Sequence, residues 1–156
     1  MLAQRVLDGH GFTVAQTWWP ITPAGEPTAH WSYLYTLYLA AIYGIIGYNP
    51  LIARLLQAVL VGFLLPRLTY RLGKRAFSPT VGLVAAGLSA VYIYFVYYAA
   101  TLMTEPFYII TILWTLDLAM QLGQSTGQEK RTASKWIWLW LGLALGITVL
   151  FRQVFL

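Results

Sequence analysis

The sequence predicts an all-α protein: a polytopic bundle of transmembrane helices with an extracytoplasmic juxtamembrane segment. Three observations point there. Of 156 residues, 59% are hydrophobic and only 10% charged, with a mean hydropathy of +0.64. A soluble domain carries about 25% charged residues, so this chain has too few to cover a water-facing surface. The apolar runs are continuous rather than alternating, which argues against a transmembrane β-barrel. The lysines and arginines cluster in short stretches between those runs, as they do in cytoplasmic loops. The net charge of +5 is therefore a mark of topology, and no nucleic-acid partner is expected. The absence of cysteine excludes disulfides and thiol chemistry. His10 and His30 have no ligand-like spacing.

The chain divides at about residue 50. Residues 1–50 read as an extracytoplasmic loop with a short first helix, then irregular structure around Pro20, Pro23, Gly25 and Pro27. Trp18 and Trp19 suit either a membrane interface or a buried aromatic cluster. Residues 31–48 are apolar and aromatic but only marginally long for a span. They either cross the membrane or lie along its surface, and charge does not decide between the two. Residues 51–156 read as four transmembrane helices, at about 51–72, 79–102, 105–123 and 135–156. The loops at 71–80 and 123–135 hold most of the basic residues and are placed in the cytoplasm. The turn at 103–106 then lies on the outer side. Met1 to Gly11 contains no signal peptide, and the last helix has no polar tail. The chain is expected to be a single partial domain of a longer protein.

Glu105 is the acid that stands out. It sits in Thr104-Glu105-Pro106 between two apolar runs, where ionised groups are costly and seldom kept without a role. It could serve as a general base, a metal ligand or an orienting group for a hydroxyl. It could equally be a helix N-terminal acid, with Thr104 as cap and Pro106 as first helical residue. Arg54, near the outer end of its helix, could hold a phosphate or snorkel to headgroups. Arg152 carries the same two readings. Two outer arginines beside one outer carboxylate point to an anionic ligand. Asp117 lies toward the inner half of its span, as an interhelical contact or a proton relay. Tyr92, Tyr94, Phe95, Tyr97 and Tyr98 read as an aromatic belt. Gly82, Gly87, Gly142 and Gly146 suit close helix packing.

Several short segments, in order, resemble one family. Leu-Asp-Gly-His-Gly-Phe at 7–12 is similar to the opening of its first outer loop. Residues 28–47 look like that loop's aromatic helix. Asn49 with Ala53-Arg54-Leu55-Leu56-Gln57-Ala58 matches the start of the second transmembrane helix. Tyr70 to Phe77 matches its basic exit, and Leu102 to Pro106 matches a junction bearing Ser or Thr before Glu. Gly142 to Arg152 resembles a later glycine-containing helix ending in arginine. The family is the GT-C membrane glycosyltransferases, of the dolichyl-phosphate-mannose protein mannosyltransferase-like and aminoarabinose-transferase-like groups. The resemblance covers nearly the whole chain and makes residues 31–48 a juxtamembrane helix.

The resemblance implies an integral, multi-pass enzyme of the plasma or inner membrane with an extracytoplasmic catalytic face. It would move a sugar from a polyprenyl-phosphate donor to a lipid, glycan or protein acceptor, with inversion. Glu105 would be its second acidic element, and Arg54, His30 and Arg152 would contact substrate. The family's first acidic motif would precede this chain, so this fragment alone is expected to be inactive. A divalent cation is compatible with such chemistry, although no site for one is clearly encoded. Gln153 stands where the family has proline, and Ala29 to Ser32 replace a proline-rich stretch. The readings from other classes are a transporter or channel fragment, using Asp117 and Glu105 as an ion path, and a structural membrane subunit.

Overall fold

The computed structural model describes residues 2–17, 23–28, 32–124 and 130–152, with side chains for all of these except 130–134. Among the described residues the protein is all-helical, with one isolated β-bridge between Thr13 and Pro27. The expectations for Trp18, Trp19 and His30 lie outside the described residues.

Helix α1 (Leu2–Leu7) leads into an irregular segment in which Gly9, Gly11 and Gly25 adopt positive φ. Helix α2 (Tyr33–Ile46) starts at Ser32, whose hydroxyl accepts from Tyr35 N, and stops at Gly47 with φ 86°. Helix α3 (Pro50–Ala76) begins with Asn49 as cap and Pro50 in the first turn, a favoured start. It runs past the expected end near residue 72. Arginine and lysine are good helix formers, and cations suit the negative end of a helix dipole. The basic stretch from Arg71 to Arg75 is therefore helix, and only Phe77 and Ser78 separate α3 from α4 (Pro79–Val91).

The segment expected as one helix over 79–102 is broken. Tyr92 is extended, and α5 (Ile93–Ala100) leaves α4 at 53°. Local chemistry favours a break here. Ser89 Oγ donates back to Ala86 O at 2.8 Å, an alternative to the helical ladder, and β-branched Val91 and Ile93 flank Tyr92. The Tyr92 ring packs edge-on against Phe95, 5.0 Å between centroids. Helix α6 (Glu105–Gln124) opens at Glu105, and α7 (Lys130–Phe151) is the last described helix.

Cross-contacts set the directions. Gln57, early in α3, bonds to carbonyls at the end of α5, whereas Arg75, late in α3, reaches Asp117 of α6. The start of α6 meets the end of α7, where Phe107 stacks on Phe151 at 5.6 Å. Helices α3 and α6 are therefore parallel and in direct contact, with α4–α5 running back along α3 and α7 running back along α6. The α3–α4 crossing is very close. A Cβ on Gly82 would stand 2.6 Å from Tyr70 O and 2.8 Å from Lys74 N, and one on Gly73 2.7 Å from Gly82 Cα. Gly82 thus has the packing role expected of it. Gly87, Gly142 and Gly146 do not, since a Cβ on any of them meets nothing within 4 Å among the described residues.

Two small apolar clusters form the interior. One joins Ala3, Tyr43 and Ala53 of α1, α2 and α3; the other joins Val61, Leu65, Ala99 and Ile110 of α3, α5 and α6. Large apolar side chains also face outward, Val59 at 70% and Ile93 at 73% exposure. Such a surface is unsuited to water and suited to lipid. Helices α3 and α6 are each long and apolar enough to cross a membrane, and the bent α4–α5 pair is a third if it forms one span. The chain is thereby marked for association with a membrane. The apolar part of α7, Lys135–Phe151, falls in a shorter class, as does α2.

Candidate functional site

Three of the sequence-predicted residues, Arg54, Glu105 and Arg152, lie at one end of the helices. Arg54 lies in the second turn of α3, Glu105 opens α6, and Arg152 follows α7. Helix α2 lies across this end. Ser32 Oγ donates to Leu150 O of α7 at 3.3 Å, and Tyr38 OH donates to Ala53 O of α3 at 3.1 Å.

At the centre is a network that sequence reading did not single out. Gln57 is fully buried. Its Oε1 accepts from Tyr35 OH at 3.0 Å. Its Nε2 donates to Tyr98 O at 3.2 Å, and reaches Ala99 O at 3.4 Å and Thr101 O. Ala99 O lies in the last turn of α5, where helical N–H donors run out, while Tyr98 O and Thr101 O also accept from Thr101 N at 3.3 Å and Met103 N at 2.9 Å. Gln57 therefore closes α5 and fixes Tyr35 at the same time. A polar residue inside the otherwise apolar stretch 55–65 was the available signal, because such groups are retained in apolar helices only with partners.

Tyr35 joins the charged residues electrostatically. Burial pushes its hydroxyl above the ordinary tyrosine range, with Tyr38, Tyr43 and Glu105 adding to the rise and Arg54 opposing it. Tyr35 therefore stays protonated and able to donate to Gln57. Glu105 and Arg54 both act on this one hydroxyl. Glu105 is partly buried and accepts from its neighbour Thr104 Oγ1 at 3.4 Å. The expected cap is thus reversed in part: Thr104 bonds the carboxylate with its side chain, while its carbonyl accepts from Tyr108 N at 3.1 Å. Neither Glu105 nor Arg54 forms an ion pair among the described residues. Arg152 is exposed, and its guanidinium sits 5.6 Å over the Tyr108 ring in the first turn of α6. A cavity of about 630 Å³ between α1, residues 13–16 and α2 is lined in part by Tyr35.

Asp117 belongs elsewhere. It is fully buried toward the other end, and it has the partners that sequence alone did not supply. Arg75 Nε donates to its Oδ1 at 2.8 Å. Arg71 Nη2 is 2.7 Å from Oδ2, in contact as an ion pair but out of line for a hydrogen bond. Among the described residues no three His, Asp or Glu side chains gather to hold a metal ion.

In comparison with known proteins, no family model, no curated protein and no solved structure matches the chain.

Proposed function

We propose that this chain is part of a polytopic membrane glycosyltransferase that takes sugar from a polyprenyl-phosphate donor at the outer face of the membrane. In this reading the basic ends of α3 and α7 face the cytoplasm, and the end bearing Arg54, Glu105 and Arg152 faces outward. The observation that carries it is that Arg54, Glu105 and Arg152 lie at one end of the helices beside the buried Tyr35–Gln57 network, with no ion pair between Glu105 and Arg54 among the described residues. A carboxylate and guanidinium that share a neighbour, yet are not ion-paired to one another, are free to act on a third group.

The chemistry asks for that pair. The acceptor oxygen bonds to the anomeric carbon, and the bond from that carbon to the lipid phosphate oxygen breaks. The electron pair leaves with the phosphate, and the acceptor's proton passes to a carboxylate. Glu105 supplies a carboxylate at the helix end, and Arg54 and Arg152 supply cations for the leaving phosphate. The test is transfer from a polyprenyl-phosphate sugar by the intact protein. Glu105→Gln is expected to reduce turnover about 100-fold or more with folding retained. Turnover equal to the parent would make Glu105 a helix-dipole acid and remove it from the site.

One observation favours a transporter or channel instead: the break at Tyr92, since discontinuous helices line transport sites. Asp117 weakens that reading, because two arginines occupy the acid that would carry a proton.

A further inference from the structure

We propose that the α3 end around Arg71 and Arg75 is a binding site for the phosphate of an anionic phospholipid. The inference rests on membrane association alone and is independent of the transferase reading. Asp117 needs one cation for neutrality, yet two arginines converge on it. Arg75 uses Nε and Arg71 uses Nη2, so each guanidinium keeps further N–H donors that no acceptor takes up among the described residues. Their side chains are 25% and 39% exposed, so those donors can be reached. A buried carboxylate that aligns two guanidiniums side by side prepares them for a tetrahedral phosphate, which they bind in forks.

The depth is suitable. From Pro50 to Arg71 the helix rises about 31 Å, close to the thickness of a bilayer's hydrocarbon core. Arg71, Lys74 and Arg75 therefore lie at the level of lipid phosphates. Lys74 and Arg67 are exposed on the same helix and add to the positive field. Residues 67–75 of α3 carry four cations, of which two meet the Asp117 carboxylate, and the surplus is what an anionic headgroup would neutralise. Each such cation near a charged bilayer is worth about fivefold in binding.

The experiment uses the whole chain in nanodiscs of phosphatidylcholine with a minority of phosphatidylglycerol, and counts lipids retained by native mass spectrometry. Phosphatidylglycerol is expected to be enriched about fivefold or more over its share. The triple substitution Arg71→Gln, Arg75→Gln, Asp117→Asn removes the cations and their carboxylate together and is expected to abolish that enrichment. Lys74→Gln, which leaves Asp117 and its partners in place, is expected to lower it by about fivefold at most. Retention in proportion to supply by the parent chain overturns the proposal, as does unchanged enrichment in the triple variant, whatever Lys74→Gln does. Displacement of the lipid by millimolar inorganic phosphate would show a general anion site and overturn the lipid assignment.

Discussion

The two ends of the helix bundle use charge in opposite ways. At the Arg75 end, one fully buried carboxylate is gripped by two arginines within 2.8 Å, and the chain crosses itself there glycine on glycine. At the Arg54 end, one carboxylate and two guanidiniums are near one another without an ion pair among the described residues, and a tyrosine–glutamine network holds the helices in their place. At the Arg75 end the carboxylate is taken up in fixing α3 against α6, and only the outward N–H groups of the arginines remain for a ligand. At the Arg54 end neither sign of charge is taken up by the other among the described residues.

The strongest way to break this comparison is Asp117→Ala. It leaves Arg71 and Arg75 without their shared partner, but these side chains are 39% and 25% exposed and can turn outward. The loss is that of a charge-assisted contact, about 1.5–3 kcal/mol. Unfolding of the variant in detergent should show that loss, while Glu105→Gln should lose no more than about 1 kcal/mol by the same measurement. Equal losses would mean that both ends are structural.

Next in size is Gly82→Val. The first added carbon already meets Tyr70 O at 2.6 Å and Lys74 N at 2.8 Å, which are backbone atoms and cannot swing away. Overpacking of this kind costs about 1–3 kcal/mol. Gly146→Val, at a position where a Cβ meets nothing within 4 Å, is expected to cost well under half as much. The same detergent melt, read for both variants, checks the contrast.

These two sites mark the limit of what the sequence made legible. The continuous apolar runs placed α3 and α6, because that signal is local. Arg54, Glu105 and Arg152 were picked out as a set because sparse charges in an apolar chain are conspicuous. Pairing was not legible. Asp117 meets Arg75 across 42 positions of chain, and nothing in either residue's neighbourhood announces the other. Gly142-x-x-x-Gly146 resembled a contact and Gly73 did not, because spacing reports a flat helix face and not what lies against it. The break at Tyr92 was hidden by composition, since an apolar run reads the same whether straight or bent.

Gln57→Leu tests the opposite end with a smaller effect. Leucine keeps the volume but leaves Tyr35 OH without its acceptor and Ala99 O without its Gln57 donor, whereas Tyr98 O and Thr101 O keep backbone N–H donors. Buried polar groups left unpaired cost about 1–3 kcal/mol, and the α5 end is expected to loosen. Amide exchange at residues 99–101 should rise while exchange around Asp117 stays as in the parent. A uniform rise along the chain would show that the two ends are one cooperative unit.

Arg54→Ala should have the smallest effect on stability and the most specific effect on function. The side chain is exposed and in no ion pair among the described residues, so its removal should change unfolding by about 0.5 kcal/mol or less. Its charge opposes the rise of the Tyr35 pKa, so without it that pKa should climb further. The tyrosine stays protonated, and the Gln57 bond survives. Donor binding is the quantity that should move, with affinity for a polyprenyl-phosphate sugar lowered by about tenfold or more through loss of a charge-assisted phosphate contact. A variant that melts several degrees lower with donor affinity intact would make Arg54 a structural residue and erase the distinction between the ends.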